Sequence, residues 1–344
     1  TVSEFTRAAY QAATPLPVHV IPNTVDGLDR VATLSRADLG LPEGEVVIHD
    51  LRAQFRQGTQ EGGSVSVKGR WNTVRGAGDL TVAARDINEN GLYFLVRHLQ
   101  RAHPELDVIP EVVDIRDAIR VTQLGLEHRP QVVLHAAAHK HVPLMERNPE
   151  EAIKNNVLGC RNVIEMAEVS GAERFVLIST DKAVSPSSVM GATKRIAEML
   201  VRLRLAKGSG TSMRVVRFGN VLGSAGSVVP LFKSQIARGG PVTVTDPECR
   251  RFLMTIREAV GLTLLAGLGE EGDLLVLQMG EQIRILDIAR VMISLAGYVP
   301  EREIDIVYTG LRPGEKLTEQ LMSENEEQRS RTVRDGIVAV KSAP

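Results

Sequence analysis

Cysteine is nearly absent: the 344-residue chain has two, Cys160 and Cys249, far apart and outside any metal-ligand spacing. That excludes a disulfide scaffold and fits a reducing compartment. Net charge is missing too. The formal value is -1 and no basic stripe stands out, which argues against a nucleic-acid surface. There is no run of about 18 apolar residues and no signal peptide, so the expectation is a cytoplasmic chain that neither spans a membrane nor is exported. The sequence opens on Thr1 rather than methionine, which suggests a piece of a longer or processed protein. No internal repeat occurs, and low complexity is confined to the Gly-, Gln- and Ser-rich stretch from Gln54 to Lys68, a linker signature. What remains is ordinary. With 43% hydrophobic and 24% charged residues, the chain is long enough for two lobes or one large domain.

Residues 1–45 read as the tail of a preceding unit, with a helical stretch at Phe5–Ala12 and an extended segment at Val18–Ile21. From residue 80 short apolar strands alternate with amphipathic helices. Strands are expected at Leu80–Ala84 (ending at Asp86), Val108–Val113 (ending at Asp114), Val132–Leu134, Phe175–Ile178 and Met213–Arg217. Helices are expected at Leu92–Arg101, Ala118–Glu127, Pro149–Val169 and from near Val189. That rhythm predicts an α/β fold with a doubly wound, Rossmann-like parallel sheet. Beyond Asn220 glycines punctuate loops, with helices at Arg257–Leu268 and Ile285–Ala296. These form a smaller C-terminal substrate lobe closing over the strand ends. The expected division is a remnant and linker over 1–65, a dinucleotide-binding domain over 66–220, and a substrate lobe over 221–344 with returns to the core.

The stretch Phe175–Lys194 carries the chemistry. Its strand breaks at Ser179-Thr180-Asp181-Lys182, and ligands of parallel sheets bind outside the carboxyl ends of strands. Lys194 follows Met190 by about one helical turn, on the same face. Taken alone, these residues would be a capped loop with solvated charges; the remaining motifs reverse that balance. Asp86, ending a strand, is placed to accept the hydroxyls of an adenosine ribose, and Asp114 to meet the adenine amino group. Each taken singly could equally be a helix cap or turn. Gly76-Ala77-Gly78 resembles the start of a phosphate loop, but Asp79 follows and no third glycine opens a helix. Asp86 comes only ten positions after Gly76, where about 20 is expected. A parallel crossover does not fit in that interval. Either the first crossover helix is absent, and the pyrophosphate loses its helix N-terminus, or a segment is missing from the sequence; the second is preferred. The small residues Ala136, Ala137 and Ala138 after a strand let backbone approach a flat cofactor. His135, His139 and His141 lack a carboxylate or cysteine to complete a ligand set, so no metal is expected.

Together these residues resemble the extended short-chain dehydrogenase/reductase superfamily. Within it, the chain is similar to the nucleotide-sugar 4,6-dehydratases of bacterial polysaccharide biosynthesis, the UDP-N-acetylglucosamine 4,6-dehydratase group. The stretches carrying the likeness are HAAAHKHVPLMERNPEEAIKNNVLG (135–159), FVLISTDKAVSPSSVMGATKR (175–195), VVRFGNVLGSAGSVVPLFKSQIARGGPVTVTDPECRRFLMTIREA (215–259) and TGLRPGEKLTEQL (309–321). The resemblance implies that Lys194 binds the nicotinamide ribose, and that Met190 stands where the superfamily has its catalytic tyrosine. Thr180 or Ser179 would orient the sugar C4 hydroxyl, Asp181 act as acid for loss of the C6 hydroxyl, and Lys182 as base at C5. Substrate contacts would come from His139, Lys140, Asn220 and Ser227, with Arg251 and Arg312 on the diphosphate. The family usually has Thr-Arg where this chain has Cys249-Arg250-Arg251, which shifts the phosphate arginine by up to one position. Glu315 and Lys316 would tie the lobe together. The implied cofactor is NAD, tightly bound and recycled, with NADP also possible. Asp86 favours NAD because a carboxylate repels a 2′-phosphate. The implied reaction takes hydride from C4, eliminates water across C5–C6 and returns hydride at C6 of a UDP-sugar, in a homo-oligomer. Larger relatives carry membrane helices and another nucleotide-fold domain ahead of the linker, which would place such a chain at the cytoplasmic face of the inner membrane. A nucleotide-sugar epimerase is the rival enzyme. A non-catalytic nucleotide-sugar-binding scaffold is the rival outside enzymes, suggested by the short glycine loop and Met190.

Overall fold

The structure, a computed structural model, describes residues 63–72, 77–224 and 226–341. The expected preceding unit, its helix and extended segment, and Gly76 lie outside the described residues. The first strand, β1 (Gly63–Asn72), falls where the composition read as linker to Lys68. The alternation of Val65 and Val67 is a strand period that the Ser and Gly content hides. β2 (Ala77–Asp86) follows, then helix α1 (Glu89–Ala102), capped by the Asn88 side chain on Gly91 N, and β3 (Asp107–Val112). Asp117 caps α2 (Ala118–His128), which leads to β4 (Val132–His135), buried throughout. The short helix α3 (Val142–Arg147) and α4 (Pro149–Ile153) run through a π-helical turn (Lys154–Gly159) into α5 (Cys160–Val169). Next come β5 (Arg174–Thr180), a 3-10 turn (Asp181–Ala183), α6 (Val189–Ala206) capped by Ser188, and β6 (Ser212–Phe218).

After β6 the elements shorten: β7 (Asn220–Val221), α7 (Val228–Ala237), β8 (Val242–Val244), β9 (Arg250–Arg251) and β10 (Leu253–Met254). Helix α8 (Ile256–Leu268), opened by a Thr255–Glu258 capping box, and β11 (Leu274–Leu277) return to the main sheet. The remainder is β12 (Ile283–Arg284), α9 (Ile285–Leu295), β13 (Ile306–Tyr308), α10 (Glu324–Glu327), β14 (Ser330–Arg334) and β15 (Ile337–Val340).

Nine strands form the central sheet in the order β14-β15-β11-β6-β5-β4-β1-β2-β3. Neighbours β4, β5, β6 and β11 are parallel, as are β2 and β3. The doubly wound α/β expectation therefore holds, with two exceptions. β15 runs against β11, and β1 runs against both its neighbours. The reversal of β1 removes the spacing problem seen in the sequence. It pairs with β2 from Gly63↔Asp86 to Asn72↔Ala77, so the two strands are joined through residues 73–76 and need no crossover helix.

Two apolar clusters cover the faces of the sheet. One holds Phe175, Leu177, Val163, Ile164 and Met213 against α2, α5 and α6; the other holds Val176, Val216, Leu264 and Leu275 under α8. A third cluster, with Phe232, Val242, Ile288 and Ile293, binds α7, β8 and α9 into a separate core beside the sheet. Among the described residues no helix is long and apolar enough to cross a membrane.

Candidate active site

The carboxyl end of β5 delivers the predicted Ser-Thr-Asp-Lys run. Thr180 starts the 3-10 turn: its Oγ1 accepts from Lys182 N at 3.4 Å and donates to Asp181 Oδ1 at 2.8 Å. Lys182 Nζ donates to the same Asp181 oxygen at 3.0 Å and to Asn220 Oδ1, on β7, at 3.1 Å. Asp181 is fully buried, and its Oδ2 has no hydrogen-bond partner among the described residues. That oxygen faces Gly219, where a Cβ would stand 3.0 Å from it and 2.8 Å from Phe252 Cβ. Only glycine leaves that space. Burial pushes the Lys140 ammonium down to about 8, and the charge of nearby Lys182 adds to the effect. Thr180, Asp181, Lys182, Asn220 and Lys140 are thus brought together.

Helix α6 closes this corner from the other side. Lys194 is buried and donates from Nζ to Ile178 O at 2.6 Å; burial lowers its pKa. Met190 packs in an apolar cluster with Val142, Met145 and Ala152. Thr193 Oγ1 donates to Met190 O at 2.7 Å and accepts from Asn156 Nδ2 at 3.0 Å. Asn156 also accepts from His139 N at 2.7 Å and donates to His139 O at 3.0 Å. It thereby pins the loop that carries Ala136, Ala137 and Ala138 to α6. Asn156 sits in the π-helical turn, a device that often marks functional sites because it re-aims one side chain. His135 is buried; burial first, and then the charge of Lys194, hold its pKa at about 3, so the ring is neutral. Among the described residues no three His, Cys, Asp or Glu side chains form a group that could hold a metal ion.

Beneath the turn lies an ion network that the sequence did not disclose. Ser179 Oγ donates to Glu198 Oε1 at 2.6 Å. Arg217, fully buried on β6, meets Glu198 through Nε at 3.0 Å and Nη2 at 2.7 Å, and reaches Glu326 through Nη1 at 2.9 Å. Arg195 bridges the same two carboxylates. Burial pushes Glu326 up, but the hydrogen bonds and charge of Arg217 outweigh it and hold the carboxyl down at about 2.

The predicted diphosphate residues have different surroundings. Arg251 is buried, with Nη1 donating to Arg250 O at 2.7 Å and Leu317 O at 3.1 Å. Arg312 is exposed and paired with Glu315. Lys316 does tie segments together, donating to Val184 O at 3.1 Å and Ser185 O at 2.8 Å. Ser227 precedes α7 without capping it, and its buried Oγ has no partner among the described residues.

At the opposite side, by β2 and β3, the expectations need correction. Gly78 pairs with Trp71 at the amino end of β2, eight residues from Asp86 and roughly 26 Å away at the rise of a strand. It lies at the wrong edge of the sheet for a phosphate loop. At the edge where ligands bind, β1 contributes its own start, Gly63 and Ser64, opposite Asp86 and His135. Asp114 is bound by Arg116 through Nε at 2.8 Å and Nη2 at 2.6 Å, and hydrogen bonding to that guanidinium lowers its pKa. Asp86 accepts from Asn88 N at 2.8 Å, and burial raises its pKa. Lys194, Ser179 and the three alanines lie together at the ends of β4 and β5, where a nicotinamide would fit; among the described residues no helix N-terminus beside β1 faces a pyrophosphate.

Known proteins share this architecture. The chain is 51% identical over 240 residues to the capsular polysaccharide biosynthesis protein CapD of Staphylococcus aureus, covering 69% of this chain and 40% of that protein. It thus spans about two fifths of that relative's length. A UDP-glucose 4-epimerase of Rickettsia canadensis is 40% identical over 199 residues, 57% of each chain. Among solved structures, the X-ray structure of Pen from Bacillus thuringiensis superposes with a TM-score of 0.68 at 35% identity, over 75% of this chain and 78% of that one. The family model described as "Polysaccharide biosynthesis protein" matches residues 75–341, and the chain belongs to that family.

Proposed function

We propose that this chain carries the site for 4,6-dehydration of a UDP-N-acetylhexosamine destined for a polysaccharide or glycan. The observation that supports it best is the Thr180–Asp181–Lys182 turn, in which a carboxyl and an amine are hydrogen-bonded to each other and to Asn220. Elimination across C5–C6 requires one proton taken and one given on a single ring, and adjacent groups of these two types meet that need. In this reading Lys182 takes the C5 proton, and Asp181 supplies one to the departing C6 hydroxyl. Thr180 and Ser179 orient the C4 hydroxyl. Lys140, His139, Asn220 and Ser227 hold the nucleotide sugar, while Arg251 and Arg312 hold its diphosphate, a guanidinium being able to bind two oxygens. Met190 has no proton to exchange, so none of these transfers passes through it. Oxidation at C4 needs a hydride acceptor, for which NAD is the proposed candidate. Lys194 and the Ala136–Ala138 loop would hold its nicotinamide end, and it would supply the hydride acceptor at C4.

The test is mass spectrometry of UDP-N-acetylglucosamine incubated with the protein, with and without NAD. Loss of one water from the sugar is the expected outcome. An altered C4 configuration at unchanged mass would replace this reading with epimerisation, which the Rickettsia relative favours. Binding of the UDP-sugar without any turnover would support the scaffold, which the reversed β1 favours.

A further inference from the structure

Lys182 has a third neighbour besides Asp181 and Asn220. Glu319, in the loop between β13 and α10, brings Oε1 to 3.8 Å from Lys182 Nζ. The residue is only 4% exposed, and its Oε2 has no hydrogen-bond partner among the described residues. Its backbone is clamped: Gln282 Nε2 donates to Glu319 O at 3.0 Å, and Glu319 N donates to Gln282 Oε1 at 3.3 Å. A fixed backbone and a buried carboxyl with one idle oxygen, whose ion-pair contact among the described residues is Lys182, describe a group aimed at that amine. Structural carboxylates of this chain look different. Glu198 and Glu326 are both saturated by Arg217 and Arg195.

We propose that Glu319 is a positioning residue that exchanges a proton with Lys182, freeing the amine to act as base. This rests on the dehydratase reading, in which Lys182 takes the C5 proton. The transfer moves one proton and no electrons. An N–H bond of the ammonium breaks, an O–H bond forms at Glu319 Oε1, and a neutral amine and a neutral carboxylic acid remain. A movement of about 1 Å brings the pair within hydrogen-bond range, and such contacts commonly tighten when ligand binds. The charged groups facing Glu319 are Lys182 and Asp181 from the 3-10 turn, Arg251 from β9, and Lys316 from its own loop. Burial, the largest influence, raises the Glu319 pKa; the three cations oppose it and Asp181 reinforces it.

The experiment is carbon-13 NMR of the whole chain labelled at glutamate carboxyls, with the Glu319 signal assigned by its loss in Glu319→Gln. The expected result is a midpoint above the ordinary glutamate range that rises by about one pH unit or more in Lys182→Met. A midpoint within the ordinary range and indifferent to Lys182→Met overturns the proposal, whether or not the protein turns over. In turnover with UDP-N-acetylglucosamine, Glu319→Gln should lower kcat and move the pH profile while KM stays within about twofold, with Glu319→Asp restoring part of the rate. An unaltered profile in Glu319→Gln also overturns it. A wild type that never releases water defeats the dehydratase reading instead, and the NMR coupling still decides the proton exchange.

Discussion

The two walls of the ligand-binding edge are built in opposite ways. On the β4–β5–β6 wall, polar groups are held by partners distant in sequence: Arg217 to Glu326 across 109 residues, Asn156 to Thr193 across 37. On the β2–β3 wall two acids just at the strand ends are satisfied locally, Asp86 by Asn88 and Asp114 by Arg116, each two residues away, while Glu111 on β3 is held from α2. Long-range buried pairs fix geometry before a ligand arrives, at the risk of heavy penalties when one member is lost. Local pairs near solvent are weak and easily remade. The first wall is held rigidly in place; the second is merely neutralised.

The contrast breaks most sharply at Arg217. Replacing it (Arg217→Met) leaves two buried carboxylates with only the more exposed Arg195 as cation and should cost about 3–5 kcal/mol, measured by urea unfolding. A loss below about 1 kcal/mol would show that the wall is not held as described. Acid should weaken the same wall in two stages. The folded pKa of His135, about 3, lies below its ordinary 6.5, so the unfolded chain takes up the proton first; that stabilisation is complete above pH 6.5 and is lost as pH falls toward 3. Glu326 lies at about 2 against an ordinary 4.5, so its contribution is complete above pH 4.5 and is lost down to about pH 2. Melting temperature against pH should therefore decline through both windows. His135→Gln should flatten the upper one and Glu326→Gln the lower; identical slopes in wild type and variants would contradict this. The smallest effects belong to the other wall. Asp114→Asn should change stability by roughly 0.2–1 kcal/mol, and Gly78→Ala should leave NAD affinity within about twofold by titration calorimetry. A large loss in Gly78→Ala would restore the phosphate-loop role.

The sequence was most legible where periodicity and end signals agree. Ser188 three residues before Gly191, ahead of an apolar helical run, marks the start of α6. The break expected at Ser179 comes two residues early: β5 runs on through Ser179 and Thr180 and ends where Asp181 opens the 3-10 turn. Direction was not legible. A strand repeats every two residues whichever way it runs, so nothing in GSVSVKGRWN tells that β1 is antiparallel. Nor was burial of charge legible: Arg217 and Glu326 lie far apart in the chain, and each alone looks like a surface residue. Asn156 was hidden because one polar residue in a long helical pattern carries no sign that the helix widens there. Gly78 misled because two glycines suggest a loop wherever they fall.

The position of β14 and β15 has a consequence for synthesis. They follow every other described element in the chain, yet β15 lies against β11 inside the nine-stranded sheet, and Glu326 just ahead of them completes the partners of Arg217. On the ribosome, Arg217 lacks one of its two carboxylates until Glu326 has emerged, and β11 keeps an open edge until Val340 has. Exposed edges and half-paired buried charges are what make nascent chains stick to one another. The nine-stranded sheet is complete only once β14 and β15 have left the tunnel, closing a structure that has waited for them.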